Sequence, residues 1–303
     1  MTPVIRAVQA DAIAPAAHLT FPTLATFFSQ ATPAEAPTVP LRIAAYDGAT
    51  PVGLALALYR KDRRQAELLS LAVDKAFRRR GVGTSILQSV EHHLRTDNIS
   101  EISARFSDAM PGASAFGALT GGAGWNGPVP ERMRIMGPVG NALEVFRDRD
   151  KLLTRASRDG LVLASWRDFP HDARGHILQE IAEGRAPGWS SAGLFSDTFD
   201  PDFSMVLTKG ANTIVGWVIC QFHAKPRRWS FPVGWIDHEY QKRGWLLVAY
   251  ADGARRLGER FGPDAVAVFE STMGLPLMWR VLEDRFAPHA QVADRILRVD
   301  TQL

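Results

Sequence analysis

The stretch Arg78-Arg79-Arg80-Gly81-Val82-Gly83-Thr84 carries the sharpest chemical signal in the chain. It lies between a strand pattern rich in leucine and β-branched residues and an amphipathic helix pattern. A helix start exposes unpaired N–H groups and a partial positive charge. Glycines there let the backbone approach an anion, and the N–H groups can cradle phosphate. Three arginines add Coulomb attraction, and Thr84 can cap the helix or donate its hydroxyl. The chemistry this predicts is the binding of a pyrophosphate. A Walker loop, G-x-x-x-x-G-K-(S/T), is absent. A dinucleotide fingerprint needs glycine or alanine where Ile86 stands, and it follows the first strand of its domain, whereas these glycines follow the fourth.

Other reactive residue types do not form a constellation. His92 and His93 are adjacent, so a helix would turn their rings to different faces, and no H-E-x-x-H occurs. His223 and His238 read as surface histidines. Gly188-Trp189-Ser190-Ser191 lacks the G-x-S-x-G elbow of a serine hydrolase. The single cysteine, Cys220, cannot form an internal disulfide or a cysteine zinc site. No metal is expected.

The elements that must position the loop can be read around it. Val4 to Val8 reads as a strand and Pro15 to Ser29 as helix. Leu41 to Tyr46, the turn Asp47-Gly48 and Val52 to Tyr59 read as a hairpin. Glu67 to Val73 is a strand. Thr84 to Arg95 places Ile86, Leu87, Val90 and Leu94 at helical spacing, and Ile99 to Phe106 returns as a strand.

The same order recurs downstream. Val73 to Gly81 (VDKAFRRRG) matches Ile236 to Gly244 (IDHEYQKRG) at an offset of 163 positions, and the same offset lays Val52-Gly53 on Val215-Gly216. In the second half Leu161 to Trp166, Ser204 to Thr208, Thr213 to Phe222, Trp229 to Ile236 and Val266 to Glu270 read as strands. Asp172 to Glu183, Trp245 to Phe261 and Pro276 to Phe286 read as helices. Arg295 to Val299 reads as the strand that closes this second sheet. The expected organisation is a domain over 1–145, a linker over 146–157 and a domain over 158–303, with mixed α/β order in each.

Composition bounds the class. The chain has 303 residues, 46% apolar and 22% charged, which suits a globular protein with room for two domains. Its net charge of +3 suits small anionic ligands and is too weak to argue for nucleic acid. Arg6 and Asp11 interrupt any signal-peptide core, and no run approaches the ~20 apolar residues of a membrane span. A cytoplasmic protein is expected. Seven of the eight tryptophans fall in the second half, which reads as a tryptophan-rich core rather than a pocket lining.

The pattern (R/Q)-x-x-G-x-(G/A) after a fourth strand, opening a helix, resembles the GNAT family of N-acetyltransferases at Arg78 to Gly83. The hairpin around Val52-Gly53 and the late Gly124-Trp125 are also similar. The resemblance implies two tandem GNAT folds, each a twisted mixed sheet flanked by helices. It implies that acetyl-CoA, or another acyl-CoA, is co-substrate. Its pyrophosphate would sit on Arg78, Arg79, Arg80, Gly81, Val82, Gly83, Thr84 and Ser85, with its pantetheine arm along Leu71, Ala72 and Val73. A glutamate eleven positions before the (R/Q) serves many relatives as general base, and here that position is Glu67. A carboxylate there can take the proton an ammonium acceptor must lose, directly or through water. The tyrosine that often serves as general acid falls on Thr120, and the glycine-rich run 117–124 reads as a broken or shortened helix.

The second copy carries Leu246 at the Gly83 position and Ser230 at the Glu67 position. The first half is therefore expected to bind acyl-CoA and catalyse. The second is expected to be a degenerate copy that builds the acceptor pocket. The implied activity is acetyl transfer to a primary amine, with a small-molecule amine as partner and the chain a monomer or homodimer. A non-catalytic acyl-CoA sensor or scaffold is the rival reading, and a nucleic-acid-modifying protein a further one.

Overall fold

The structure, a computed structural model, describes residues 3–31, 36–169, 172–210 and 213–303. Contacts divide the chain into two units. The first is Met1–Glu131 with Arg295–Leu303, and the second is Arg132–Asp294.

The first unit runs β1 (Val4–Ala7), a 3₁₀ segment (Ala10–Leu19), α1 (Pro22–Phe28), β2 (Val39–Asp47), β3 (Thr50–Arg60), β4 (Gln65–Val73), α2 (Val82–Thr96), β5 (Glu101–Ser107) and α3 (Ala113–Gly122), and it holds the start of β6 (Asn126–Pro138). The helix expected over Pro15 to Ser29 is thus split in two, with Phe21 extended and Pro22 opening α1, where its missing N–H costs nothing. β1 to β4 pair antiparallel in order. β4 and β5 are parallel and pair only from Gln65–Leu68 to Glu101–Ala104. A bulge at Leu69 shifts the β3–β4 register. Among the described residues, the β4 edge facing β5 has no strand partner beyond Leu68, and the two strands part into a cleft.

Both faces of this sheet are covered. Ile86, Leu87, Val90 and Leu94 of α2 are all buried against one face. Ile13, Ala16 and Leu19 of the 3₁₀ segment, with Phe28 of α1, cover Leu54 and Leu56 on the other. The run 117–124, read as a broken or shortened helix, is unbroken within α3 as far as Gly122, where the helix ends.

The second unit contains the end of β6, α4 (Val139–Val145), α5 (Arg149–Arg158), β7 (Leu161–Ser165), α6 (Ala173–Ala182), β8 (Met205–Lys209), β9 (Thr213–His223), β10 (Arg228–Ile236), α7 (Trp245–Phe261), β11 (Val266–Thr272) and α8 (Pro276–Val281). Residues 146–157, read as a linker, fall inside this unit and are helical from Arg149. The strand order is β7-β8-β9-β10-β11-β6, with β10 and β11 parallel. Trp217, Trp229, Trp245 and Trp279 are buried, whereas Trp189 is half exposed.

The last strand, β12 (Val292–Gln302), corrects one expectation. Its residues Ile296 to Gln302 run antiparallel to β5 and close the first unit's sheet, not the second's. In the second unit the place beside β11 is taken by residues 132–138 of β6. A repeat in sequence does not reveal this exchange, because local periodicity sets which residues form a strand and not which edge that strand joins.

The shared Val-Gly pair has a packing reason. A Cβ on Gly53 would lie 2.6 Å from Ile86 Cδ1, and one on Gly216 would lie 2.7 Å from the Trp235 carbonyl oxygen. Gly216→Ala is expected to destabilise the protein by about 1–3 kcal/mol, since backbone cannot yield as a side-chain tip can. Urea denaturation would measure it, and an unchanged midpoint would refute the close approach. Among the described residues, no helix is long and apolar enough to cross a membrane.

Candidate functional site

The loop between β4 and α2 is built by its own residues. Asp74 accepts a hydrogen bond from the Ala76 N–H (2.8 Å), and its own N–H donates to the Val52 carbonyl (2.8 Å). The Arg78 guanidinium donates through Nε to the Val73 carbonyl (2.9 Å), which folds the loop back on the strand end. Arg79 (φ +62°) and Gly81 (φ +80°) are both left-handed. For arginine that conformation is uncommon and needs a surrounding structure that fixes it. Gly81, not Thr84, is the N-cap of α2, and no side chain caps this helix start. The first-turn N–H groups are thus left for an external acceptor, at the positive end of a 15-residue helix. Arg80 lies over the Phe77 ring at 5.6 Å.

Gly83 stands at the mouth of the cleft. A Cβ there would meet Leu119 of α3 and Val73 and Leu71 of β4 at 3.7–3.9 Å. The structure therefore brings Leu71, Val73, Gly81, Val82, Gly83 and the arginine run to one end of the cleft. Ala72 is on the opposite sheet face, beside the Leu54 cluster. Ser85 donates its N–H to the Gly81 carbonyl and begins the regular helix. The donor set fits a pyrophosphate, and the unpaired β4 edge fits a pantetheine amide.

Glu67 lies on β4 opposite Ser103, one residue before the pairing ends. Its side chain is 42% exposed, and its Oε1 accepts a hydrogen bond from Arg105 Nη1 at 2.9 Å. Arg105 also donates through Nε (2.6 Å) and Nη2 (3.1 Å) to Glu131. The hydrogen bonds that Arg105 donates to Glu131 and then to Glu67 outweigh desolvation and push the Arg105 pKa above its ordinary value. A groove of about 350 Å³ runs from Glu67 past Ser103, Glu101, Gln65 and Arg60 on this face. Sequence reading missed Arg105 and Glu131. Only the strand register, which sets Arg105 two residues beyond the partner of Glu67, could have found the first.

Thr120 is 1% exposed, and its hydroxyl donates to the Phe116 and Gly117 carbonyls within α3. That hydroxyl is spent on the helix, and no side chain replaces the expected tyrosine at this position.

The second loop repeats the first in backbone. Lys242 (φ +62°) and Gly244 (φ +79°) match Arg79 and Gly81. Asp237 caps Glu239 as Asp74 caps Ala76, and Gln241 donates to the Ile236 carbonyl as Arg78 does to Val73. The side chains differ. Leu246 is partly buried and packs against the core of its unit. Leu152 of α5 lies 3.7 Å from a Cβ placed on Gly244, so α5 covers this helix start. Ser230 takes the place of Glu67, opposite Gln221 where Glu67 opposes Leu58, and contacts His223 Nε2 at 2.8 Å.

This arrangement, a sheet covered on both faces with a splayed strand pair and an uncapped glycine-opened helix, has the GNAT fold. Residues 10–116 match the family model described as the Acetyltransferase (GNAT) family. Three solved structures are similar over 99% of this chain. One is a tandem GNAT protein from the clavulanic acid biosynthesis pathway (TM-score 0.59, 11% identity, 98% of that chain covered). Another is a GCN5-related N-acetyltransferase from Sphaerobacter thermophilus (0.62, 14%, 95% covered). The third is a glucosamine N-acetyltransferase region in a fungal multi-domain β-N-acetylglucosaminidase (0.68, 13%), of which this chain spans 38%. No curated protein matches the chain at a significant level of sequence similarity.

Proposed function

We propose that the protein is an acyl-CoA-dependent N-acyltransferase that moves an acetyl group from acetyl-CoA to a primary amine within a ternary complex. The first unit would hold the working site. The observation that carries this reading is the uncapped start of α2, behind two left-handed residues, at the mouth of a cleft that ends beside Glu67. Acyl-CoA supplies the thioester. Arg78 to Ser85 would bind its pyrophosphate, and the free edge of Leu71, Ala72 and Val73 would hold its pantetheine amides. Glu67 would take the proton from the ammonium, directly or through water, as the C–N bond forms and the C–S bond breaks. The thiolate would leave without a protein acid at the Thr120 position. Cys220, buried and single, accords with a cytoplasmic location.

A screen of primary amines with acetyl-CoA, followed by release of free thiol, tests the activity. Thiol release above the amine-free rate is the expected result. The spent Thr120 hydroxyl favours a second reading, a non-catalytic acyl-CoA sensor. It would show binding with no amine-dependent thiol release. Titration calorimetry is expected to give one acetyl-CoA per chain, because Leu246 and Leu152 close the second loop. Two sites per chain would overturn the division of labour.

A further inference from the structure

We infer that Arg105 is a positioning residue of the acylation site, holding Glu67 so that one carboxylate oxygen stays free for the acceptor's proton. The inference rests on the reading of Glu67 as base. Each nitrogen of the Arg105 side chain donates to a carboxylate: Nη1 to Glu67, Nε and Nη2 to Glu131. The two-point fork to Glu131 fixes the guanidinium plane, since both bonds must be met together. The remaining arm then meets only Oε1 of Glu67. Among the described residues, Oε2 of Glu67 has no partner. A guanidinium committed in this way is ill suited to anchor an anionic substrate, but well suited to restrict a strand-end glutamate that would otherwise sample several rotamers.

The second unit shows that the sheet does not need this pair. There Ser230 opposes Val268, as Glu67 opposes Ser103. Two residues further along stands Glu270 in place of Arg105. Both members of the pair differ, and the second has the opposite charge. Glu270 instead accepts from Arg132 at 3.0 Å. The parallel strands pair in the same register without a Glu–Arg link. The link is therefore not a condition of the fold, and it occurs in the unit whose loop is open.

Two measurements test this. The first is a crystal structure of Arg105→Met beside the wild type. Glu67 is expected to leave its rotamer or become disordered, and an unmoved carboxylate overturns the inference. The second is steady-state kinetics with acetyl-CoA and the screened amine of fastest turnover. Arg105→Met is expected to lower kcat on the order of 100-fold, as a misplaced reacting group does, with KM for acetyl-CoA unchanged. Arg105→Lys should recover part of the loss. The double variant Glu67→Gln/Arg105→Met should be no slower than Glu67→Gln alone, because both act through one group. Multiplied losses, or a change confined to KM for the amine, would refute positioning. A Glu67→Gln variant with full kcat is a separate result: it removes the base assignment itself.

Discussion

Glu67→Gln is expected to lower kcat by roughly 10²–10⁴-fold, the span that positioned proton transfer contributes, while acetyl-CoA still binds. The substitution is nearly isosteric. Its amide oxygen can still accept from Arg105 Nη1, so the network at 2.9 Å need not collapse. What disappears is the capacity to take a proton. The carboxylate is 42% exposed, and an exposed ion pair of this kind stabilises a fold by about 0–1 kcal/mol. The variant's melting temperature should therefore remain close to that of the wild type, and so should its rise on adding acetyl-CoA. Normal turnover in this variant would show that another group, or bulk water, takes the proton. A protein that binds acetyl-CoA but shows no amine-dependent thiol release, with Glu67 intact, would instead favour the sensor.

Much of the first unit was legible in its sequence because local signals there agree with the fold. The apolar spacing in α2, the Asp47-Gly48 turn and the Gly-rich loop each determine structure within a few residues. The repeat was legible for a further reason. Asp74 and Asp237, Arg78 and Gln241, Gly81 and Gly244 perform the same backbone tasks in both loops. What stayed hidden depends on long-range pairing. That β12 closes the first sheet, and that residues 132–138 flank β11, follows from edge complementarity and not from periodicity. Glycines at 117, 121 and 122 predict a weak helix, yet packing of Phe116 and Leu119 on the core holds α3 together. Arg105 and Glu131 were invisible for the same reason, since an arginine 38 positions from Glu67 becomes its neighbour only through the parallel register of β4 and β5.

Gly83→Leu is expected to abolish acetyl-CoA binding while leaving the fold intact. Gly83 is an ordinary helical residue without positive φ, so a side chain costs no backbone strain. A Cβ there would find Leu119, Val73 and Leu71 at van der Waals distance, and Gly83→Ala should fold with equal or slightly higher stability. The remaining carbons of a leucine have to extend from that point into the cleft, between the helix start and the free edge of β4. They would occupy the place proposed for the ligand, as Leu246 occupies the matching position in the second unit. At about 100 Kd, acetyl-CoA should stabilise the wild type by about 2.7 kcal/mol. At about 2–4 °C per kcal/mol for a mid-sized domain, the melting temperature should rise by several degrees. That rise should vanish in Gly83→Leu and persist in Gly83→Ala. Leu246→Ala should leave it unchanged, because Leu152 still covers Gly244. If the rise survives in Gly83→Leu and is altered in Leu246→Ala, the working loop is the second one, and the roles of the two units are reversed.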